Sequence, residues 1–219
     1  MNQPLNVAPP VSSELNLRAH WMPFSANRNF QKDPRIIVAA EGSWLVDDKG
    51  RKIYDSLSGL WTCGAGHSRK EIQEAVARQL GTLDYSPGFQ YGHPLSFQLA
   101  EKIAGLLPGE LNHVFFTGSG SEANDTVLRM VRHYWATKGQ PQKKVVIGRW
   151  NGYHGSTVAG VSLGGMKALH EQGDFPIPGI VHIAQPYWYG EGGDMSPDEF
   201  GVWAAEQLEK KILEVRSEE

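Results

Sequence analysis

The sequence predicts an α/β fold built on a mostly parallel sheet, and three observations lead there. From about residue 114 onward, short apolar runs alternate with longer stretches of helical period. Before residue 68 the apolar runs are short, closely spaced and separated by turn residues. Between these regions, at Ser68, the hydrophobic period changes from about 2 to about 3.6 residues. Alternation of strands with helices argues a parallel sheet with helices on its faces, because parallel strands need long crossovers.

Each element has its own signal. Residues 1–13 are polar, carry Pro4, Pro9 and Pro10, and read as a loose arm. Ile36-Ile37-Val38, Trp44-Leu45-Val46 and Ile53-Tyr54 read as the strands of a small antiparallel meander, with Asp48-Lys49-Gly50 as the turn between the last two. Ser68 and Glu71 have capping-box spacing, and Ile72, Ala75, Val76 and Leu80 share one face of the helix that follows, which Gly81 ends. A loop over 82–93 leads to a helix over about 94–107, stopped by Pro108-Gly109. Val114-Phe115-Phe116 is expected as a strand. A helix from Ser121 carries Ala123, Val127, Met130, Val131 and Tyr134 on one side. A strand over 143–148, a helix from near Ser156 and a strand over 180–183 continue the alternation. Ser196-Pro197-Asp198-Glu199 opens the last helix with a capping box and a proline in its first turn, and Phe200, Trp203, Ala204, Leu208 and Ile212 form its apolar stripe. Three parallel strands are few for an open sheet, whose usual number is about 4–6.

Composition bounds the class. The chain has 219 residues, 40% hydrophobic and 21% charged, with a net charge of -3. That is ordinary globular chemistry with no footprint for nucleic acid or an anionic membrane. Cys63 is the only cysteine, so no internal disulfide is expected and a reducing cytoplasm is the expected location. Residues 1–14 lack the basic and apolar regions of a secretory signal, and the apolar run over 36–40 is too short to cross a bilayer. Asp47-Asp48 and Glu218-Glu219 read as solvated charge. No His or Cys spacing suggests a metal site.

Two segments carry chemistry. Thr117-Gly118-Ser119-Gly120-Ser121-Glu122-Ala123-Asn124 lies between an expected strand and a helix. A helix start offers unpaired N–H groups and the positive end of a dipole, glycines let an anion approach the backbone, and serine hydroxyls add donors. That makes a phosphate cup. The same residues also suit a plain capped helix, with Ser119 and Glu122 as the capping box. They further fit the dinucleotide fingerprint G-x-G-x-x-A, for which Arg149 at the end of the next strand leaves a 2′-phosphate cofactor open. The second segment, Trp150-Asn151-Gly152-Tyr153-His154-Gly155-Ser156, follows the next strand and belongs at the same carboxyl edge of the sheet. There the Tyr153 ring can lie against a planar heterocycle or pack under the loop as a buried aromatic. Loop aromatics Trp21, Phe24, Trp61, Tyr85, Phe89 and Tyr91 are either core plugs or the walls of an apolar pocket.

These motifs fall together in one known pattern. His20-Trp21-Met22-Pro23-Phe24, Asp55-Ser56-Leu57-Ser58-Gly59-Leu60-Trp61, Gly118-Ser119-Gly120-Ser121-Glu122-Ala123-Asn124 and Tyr153-His154-Gly155 stand in the order and spacing of the class III aminotransferases. Up to about Val215 the chain resembles the ω-amino acid–pyruvate (β-alanine–pyruvate) branch, and this decides against the dinucleotide reading. The resemblance implies the aspartate-aminotransferase-like fold (fold type I), with pyridoxal 5′-phosphate as cofactor. Residues 1–67 would be an N-terminal arm and meander belonging to a small domain, and 68–219 an incomplete large domain. It implies that Ser119, Gly120 and Ser121 hold the cofactor phosphate, that Tyr153 stacks on the pyridine ring with His154 beside it, and that Trp61 and Phe24 line the substrate pocket. Phe89 would reach the pocket of a second subunit in a homodimer or larger homo-oligomer. The substrates implied are a small amine or ω-amino acid and pyruvate, with no nucleic-acid or membrane partner.

The same resemblance sets expectations about what the chain does not carry. In the family a lysine bonds covalently to the cofactor, an aspartate holds the ring nitrogen and an arginine receives the substrate carboxylate; all three are expected downstream of the matched region. Lys138, Lys143, Lys167 and Lys210 do not stand at the lysine position, and Arg216-Ser217-Glu218-Glu219 departs from the family pattern. No catalytic residue is therefore assigned within the chain. It is expected to hold the cofactor weakly and not to transaminate alone. The alternative is a non-catalytic fragment or decoy subunit that binds a partner.

Overall fold

The computed structural model describes residues 15–216. The residues of the expected arm up to position 14, and Ser217, Glu218 and Glu219, lie outside the described residues. The chain divides into two compact units, Met1–Gln98 and Leu99–Glu219.

The first unit contains α1 (Asn27–Phe30), β1 (Ile37–Glu41), β2 (Trp44–Asp47), β3 (Lys52–Tyr54), α2 (Ser58–Trp61) and α3 (Lys70–Thr82). The strands form an antiparallel sheet in the order β1-β2-β3, as the meander pattern predicts. Trp44 and Tyr54 face each other across β2 and β3, edge to face at 5.2 Å. Gly50 takes φ 76° and closes the turn between those strands. Asp47 and Asp48 are buried, at 0% and 3% exposure, which corrects the expectation of solvated charge. The Asp47 carboxylate accepts from the N–H groups of Lys49 (3.0 Å) and Arg51 (2.8 Å) and from Arg51 Nε (2.6 Å). Burial alone would raise its pKa; the bonds from Arg51 and Lys49 outweigh that and hold it below the usual value. The box expected at Ser68 is not formed. Ser68 takes φ 55° and donates its hydroxyl to Ala40 O at 2.6 Å, so α3 begins at Lys70 with Arg69 as an uncapped N-cap. That helix runs through Gly81 to Thr82.

After α4 (Pro94–Ala104), the second unit holds α5 (Gly120–Thr137), β4 (Val146–Arg149), α6 (Val158–Leu163), α7 (Lys167–His170), β5 (Ile180–Ile183), α8 (Trp188–Glu191) and α9 (Pro197–Arg216). β4 and β5 pair in parallel, Val146 opposite Ile180 through Arg149 opposite Ile183. The crossover between them carries α6, whose Val161 is buried with Ile180 and Ile183. Helix α9 packs on β5 and buries Phe200 and Ala204, while Leu208 and Ile212 of its stripe stay partly exposed. Its capping box forms as expected: Ser196 Oγ accepts from Glu199 N, and Glu199 Oε2 accepts from Ser196 N. Residues 114–116 form no strand. Their β-rich composition is right, but a strand exists only through a hydrogen-bonded neighbour, and none among the described residues pairs with them. The parallel sheet described is therefore two strands wide rather than three.

Candidate functional site

The second unit gathers its chemistry where α5 begins. Ser119 is the N-cap, in extended backbone at φ -159°, and its hydroxyl accepts from Glu122 N at 3.1 Å. Glu122 folds back so that Oε2 accepts from Gly118 N at 2.6 Å. Thus the cap forms, but the glutamate reaches the residue before the cap rather than the cap itself. The next N–H groups, of Gly120 and Ser121, have no intrahelical acceptor by geometry, and no side chain among the described residues takes them. Nothing lies within 4 Å of where a Cβ at Gly120 would stand.

The β4–α6 loop lies against this helix start. Ser156 N donates to Ser121 Oγ at 3.1 Å, Asn124 Nδ2 donates to His154 O at 2.6 Å, and Thr157 Oγ1 donates to Asp125 Oδ1 at 2.6 Å. Gly155 is pressed onto the helix: its φ is +127°, and an added Cβ would stand 2.5 Å from Ser121 Oγ and 2.9 Å from Ser121 Cα. Only glycine permits that approach. Ser119, Gly120, Ser121, Tyr153 and His154 are thereby brought into one neighbourhood. The Tyr153 side chain is 54% exposed and His154 is exposed.

The donors suit an anion. A hydroxyl has one proton to give. Ser119 Oγ and Ser121 Oγ each already accept a backbone N–H, which leaves their protons to donate outward. With the Gly120 and Ser121 N–H groups and the positive end of an 18-residue helix, they form a set with no carboxylate in it, since that of Glu122 is turned onto Gly118. A cavity of about 470 Å³ bordered by Glu122 and Asp125 contains neither Ser121 nor Tyr153; two carboxylates make it the wrong place for a phosphate.

Behind the loop, Trp150 stacks on His182 at 4.6 Å, and the ring nitrogens Nε2 of His182 (2.7 Å) and His170 (2.8 Å) both donate to Gly164 O. Burial, with His170 nearby, holds the His182 pKa below 6.5 against the opposing effect of its bonds to backbone carbonyls. Gly165 N in turn donates to Gly152 O at 2.9 Å, so these rings brace the residue before Tyr153. The sequence singles out Ser119, Ser121, Tyr153 and His154 among these residues, but assigns no role of their own to Asn124, Asp125, Thr157, His170 and His182.

The remaining expected site residues, Phe24, Trp61 and Phe89, belong to the first unit and are largely exposed. Trp61 closes a left-handed turn: Ser58, Gly59, Leu60 and Trp61 have φ of 49°, 59°, 57° and 70°. Asp55 Oδ2 anchors it, accepting from Gly59 N and from His67 Nε2, each at 2.7 Å. The bond from His67 and that from Gly59 keep the Asp55 carboxyl below its usual pKa despite burial.

Residues 25–213 match the family described as aminotransferase class-III. The chain belongs to the class III aminotransferases. Within that family it is 88% identical over 166 residues to the β-alanine–pyruvate aminotransferase of Pseudomonas aeruginosa, a stretch that covers 76% of this chain and 37% of that enzyme. It is 70% identical over 201 residues to the putrescine–pyruvate aminotransferase of the same organism, covering 91% and 44%. Among solved structures, the ω-transaminase of Pseudomonas jessenii in complex with PMP superposes with a TM-score of 0.87 at 37% identity, over 91% of this chain and 45% of that one. A thermostable ω-transaminase variant, with a tryptophan, a phenylalanine and an arginine replaced for synthesis of bulky amines, superposes with a TM-score of 0.86 at 36% identity, over 90% and 44%. The fold is therefore that of fold-type-I pyridoxal-phosphate enzymes, and pyridoxal 5′-phosphate is the cofactor of this class III family. The chain spans less than half the length of each of these relatives.

Proposed function

We propose that this chain is the cofactor-phosphate half of an ω-amino acid–pyruvate aminotransferase, which moves an amino group from β-alanine or another ω-amine to pyruvate. One observation carries the reading: the Ser121–Ser156 and Asn124–His154 bonds join an anion-binding helix start to a loop that presents an aromatic ring. Ser119, Gly120 and Ser121 would hold the phosphate. Tyr153 would lie against the ring, with His154 beside it. The cofactor, when bound, would supply an electron sink for the substrate carbon. The protein residues would orient it.

Pyruvate is the firmer of the two substrates, because both curated relatives are named for it while their donors differ. Trp61, Phe24 and Phe89 line the amine pocket, Phe89 from a second copy in a homodimer or larger homo-oligomer. In support, the tryptophan and phenylalanine changed in the bulky-amine variant are separated by the same stretch of chain as Trp61 and Phe89. We assign 1–67 to a small domain, 68–219 to the large one, and the protein to the cytoplasm; among the described residues no helix is long and apolar enough to cross a membrane.

Residues 1–219 by themselves do not transaminate. The reading is supported by the family pattern, in which none of Lys138, Lys143, Lys167 and Lys210 stands at the position of the cofactor-bonding lysine. The test is a titration of the chain with pyridoxal 5′-phosphate and with pyridoxal. Tighter binding of the phosphorylated form, lost in Ser121→Ala, is expected; equal affinity for the two would overturn the cofactor assignment. Alanine appearing from β-alanine and pyruvate in the presence of this chain alone would overturn its inactivity.

A further inference from the structure

We propose that Asn124 and Asp125 are positioning residues that fix the Tyr153 ring relative to the phosphate donors before the cofactor arrives. The inference rests on the cofactor reading above and adds to it two residues whose side chains bond to the β4–α6 loop.

The argument begins with helix spacing. Ser121, Asn124 and Asp125 stand at i, i+3 and i+4, so their side chains share one face of α5. That face continues to the buried Leu128 and to Arg132, whose guanidinium donates to Pro178 O at 3.1 Å. The apolar stripe of the same helix (Val127, Met130, Val131, Tyr134) is the more exposed side. The polar trio is the side that carries the loop, and all three of its members bond to it, at Ser156 N, His154 O and Thr157 Oγ1. Gly155, buried between those contacts, has no room for a Cβ.

Tyr153 is the first side chain upstream of the clamp. Its backbone is held on both sides: His154 O accepts from Asn124, and Gly152 O accepts from Gly165 N. With both neighbouring carbonyls fixed, side-chain torsions are the main freedom left to the ring. Thr157 extends the link. Its hydroxyl donates to Asp125 while accepting from Gly160 N, so the cap of α6 is also tied to α5. Preorganisation of this kind lowers the ordering cost of binding.

The experiment separates phosphate from ring. Kd values for inorganic phosphate and for pyridoxal 5′-phosphate are measured on the wild-type chain and on Asn124→Ala, Asp125→Ala and Asp125→Asn, with thermal midpoints and amide exchange at Ser156. Asp125→Ala leaves the α6 cap in place, and Asp125→Asn keeps an acceptor for the Thr157 hydroxyl. We expect both alanine variants to bind inorganic phosphate within about twofold of wild type and to lose about tenfold for pyridoxal 5′-phosphate, roughly the worth of one hydrogen bond. Faster exchange at Ser156 and recovery in Asp125→Asn should accompany that loss. Undiminished pyridoxal 5′-phosphate binding in both alanine variants overturns the inference while leaving the cofactor site standing. So does an equal loss for both ligands that tracks the thermal midpoint, which would make the clamp merely structural. Wild-type binding of pyridoxal 5′-phosphate no tighter than that of phosphate overturns the cofactor reading itself.

Discussion

Two glycines in the candidate site should respond in opposite ways to the same substitution. Gly155 sits at φ +127°, where an L side chain is strained, and its Cβ would fall 2.5 Å from Ser121 Oγ and 2.9 Å from Ser121 Cα. The hydroxyl can rotate away, but the helix backbone cannot. Backbone strain of about 1–3 kcal/mol and overpacking of about 1–3 kcal/mol together give roughly 2–6 kcal/mol for Gly155→Ala. In a chain of this size that is a fall in Tm of about 5–20 °C. Gly120 has nothing within 4 Å of its Cβ position. Gly120→Ala should leave stability unchanged or raise it by up to about 1 kcal/mol, since alanine is the better helix former. It should nonetheless weaken phosphate binding, because the new methyl stands beside the free N–H donors. Thermal unfolding followed by near-UV circular dichroism, paired with phosphate titration, reads both effects. A Gly155→Ala chain that melts within about 2 °C of wild type would show that the loop does not press on α5, and the site geometry would fail with it.

Other perturbations test the framework around the site. Leu128→Ala removes the buried residue behind the polar face of α5 and should cost about 2–5 kcal/mol in urea unfolding, against under about 0.5 kcal/mol for Val127→Ala on the exposed stripe. His182 has a folded pKa below its ordinary 6.5, so in the window just below that value the unfolded chain binds a proton that the folded chain does not. Stability should therefore fall as pH drops from about 6.5 toward the folded pKa and level off beneath it; His182→Gln should flatten that part of the curve measured by urea midpoints. Asp55→Ala removes the acceptor for Gly59 N and His67 Nε2, leaving a left-handed turn in which Ser58, Leu60 and Trp61 each carry roughly 1–2 kcal/mol of strain. Amide exchange at Gly59 should accelerate markedly, with Asp55→Asn intermediate; unchanged exchange would mean that the turn is held by other contacts.

What the sequence made legible was local. The meander and the capping boxes of α9 and, in part, α5 rest on residues within about ten positions of one another, where side-chain chemistry and backbone geometry are directly linked. Two of the misreadings have distant causes and the third is a matter of turn geometry. Ser68 has the right spacing for a cap, but the Ala40 carbonyl, 28 residues away, takes its hydroxyl. Val114-Phe115-Phe116 has strand composition, yet composition cannot supply a neighbour to pair with. Asp47 looks like exposed charge because composition alone does not show the hairpin turn closing the N–H groups of Lys49 and Arg51 around its carboxylate.

The same division runs through the candidate site. Ser119, Gly120 and Ser121 could be proposed from the sequence because an anion site at a helix start favours those residue types, whatever surrounds them. Tyr153 could be proposed because a glycine-flanked aromatic at the carboxyl edge of a sheet can face a planar ligand, although it can equally plug a loop. Asn124 and Asp125 gave only a faint signal, the i, i+3, i+4 spacing from Ser121, since an Asn and an Asp on a helix are ordinarily solvated. Their partners lie 30 and 32 residues away, across β4. Residues that meet a ligand are constrained by the ligand's chemistry, which is general. Residues that hold those groups in place are constrained by this fold's particular contacts. The first kind can be found in a sequence alone, whereas the second needs the loop of residues 154–157 laid on the helix before an amide and a carboxylate become recognisable as parts of the site.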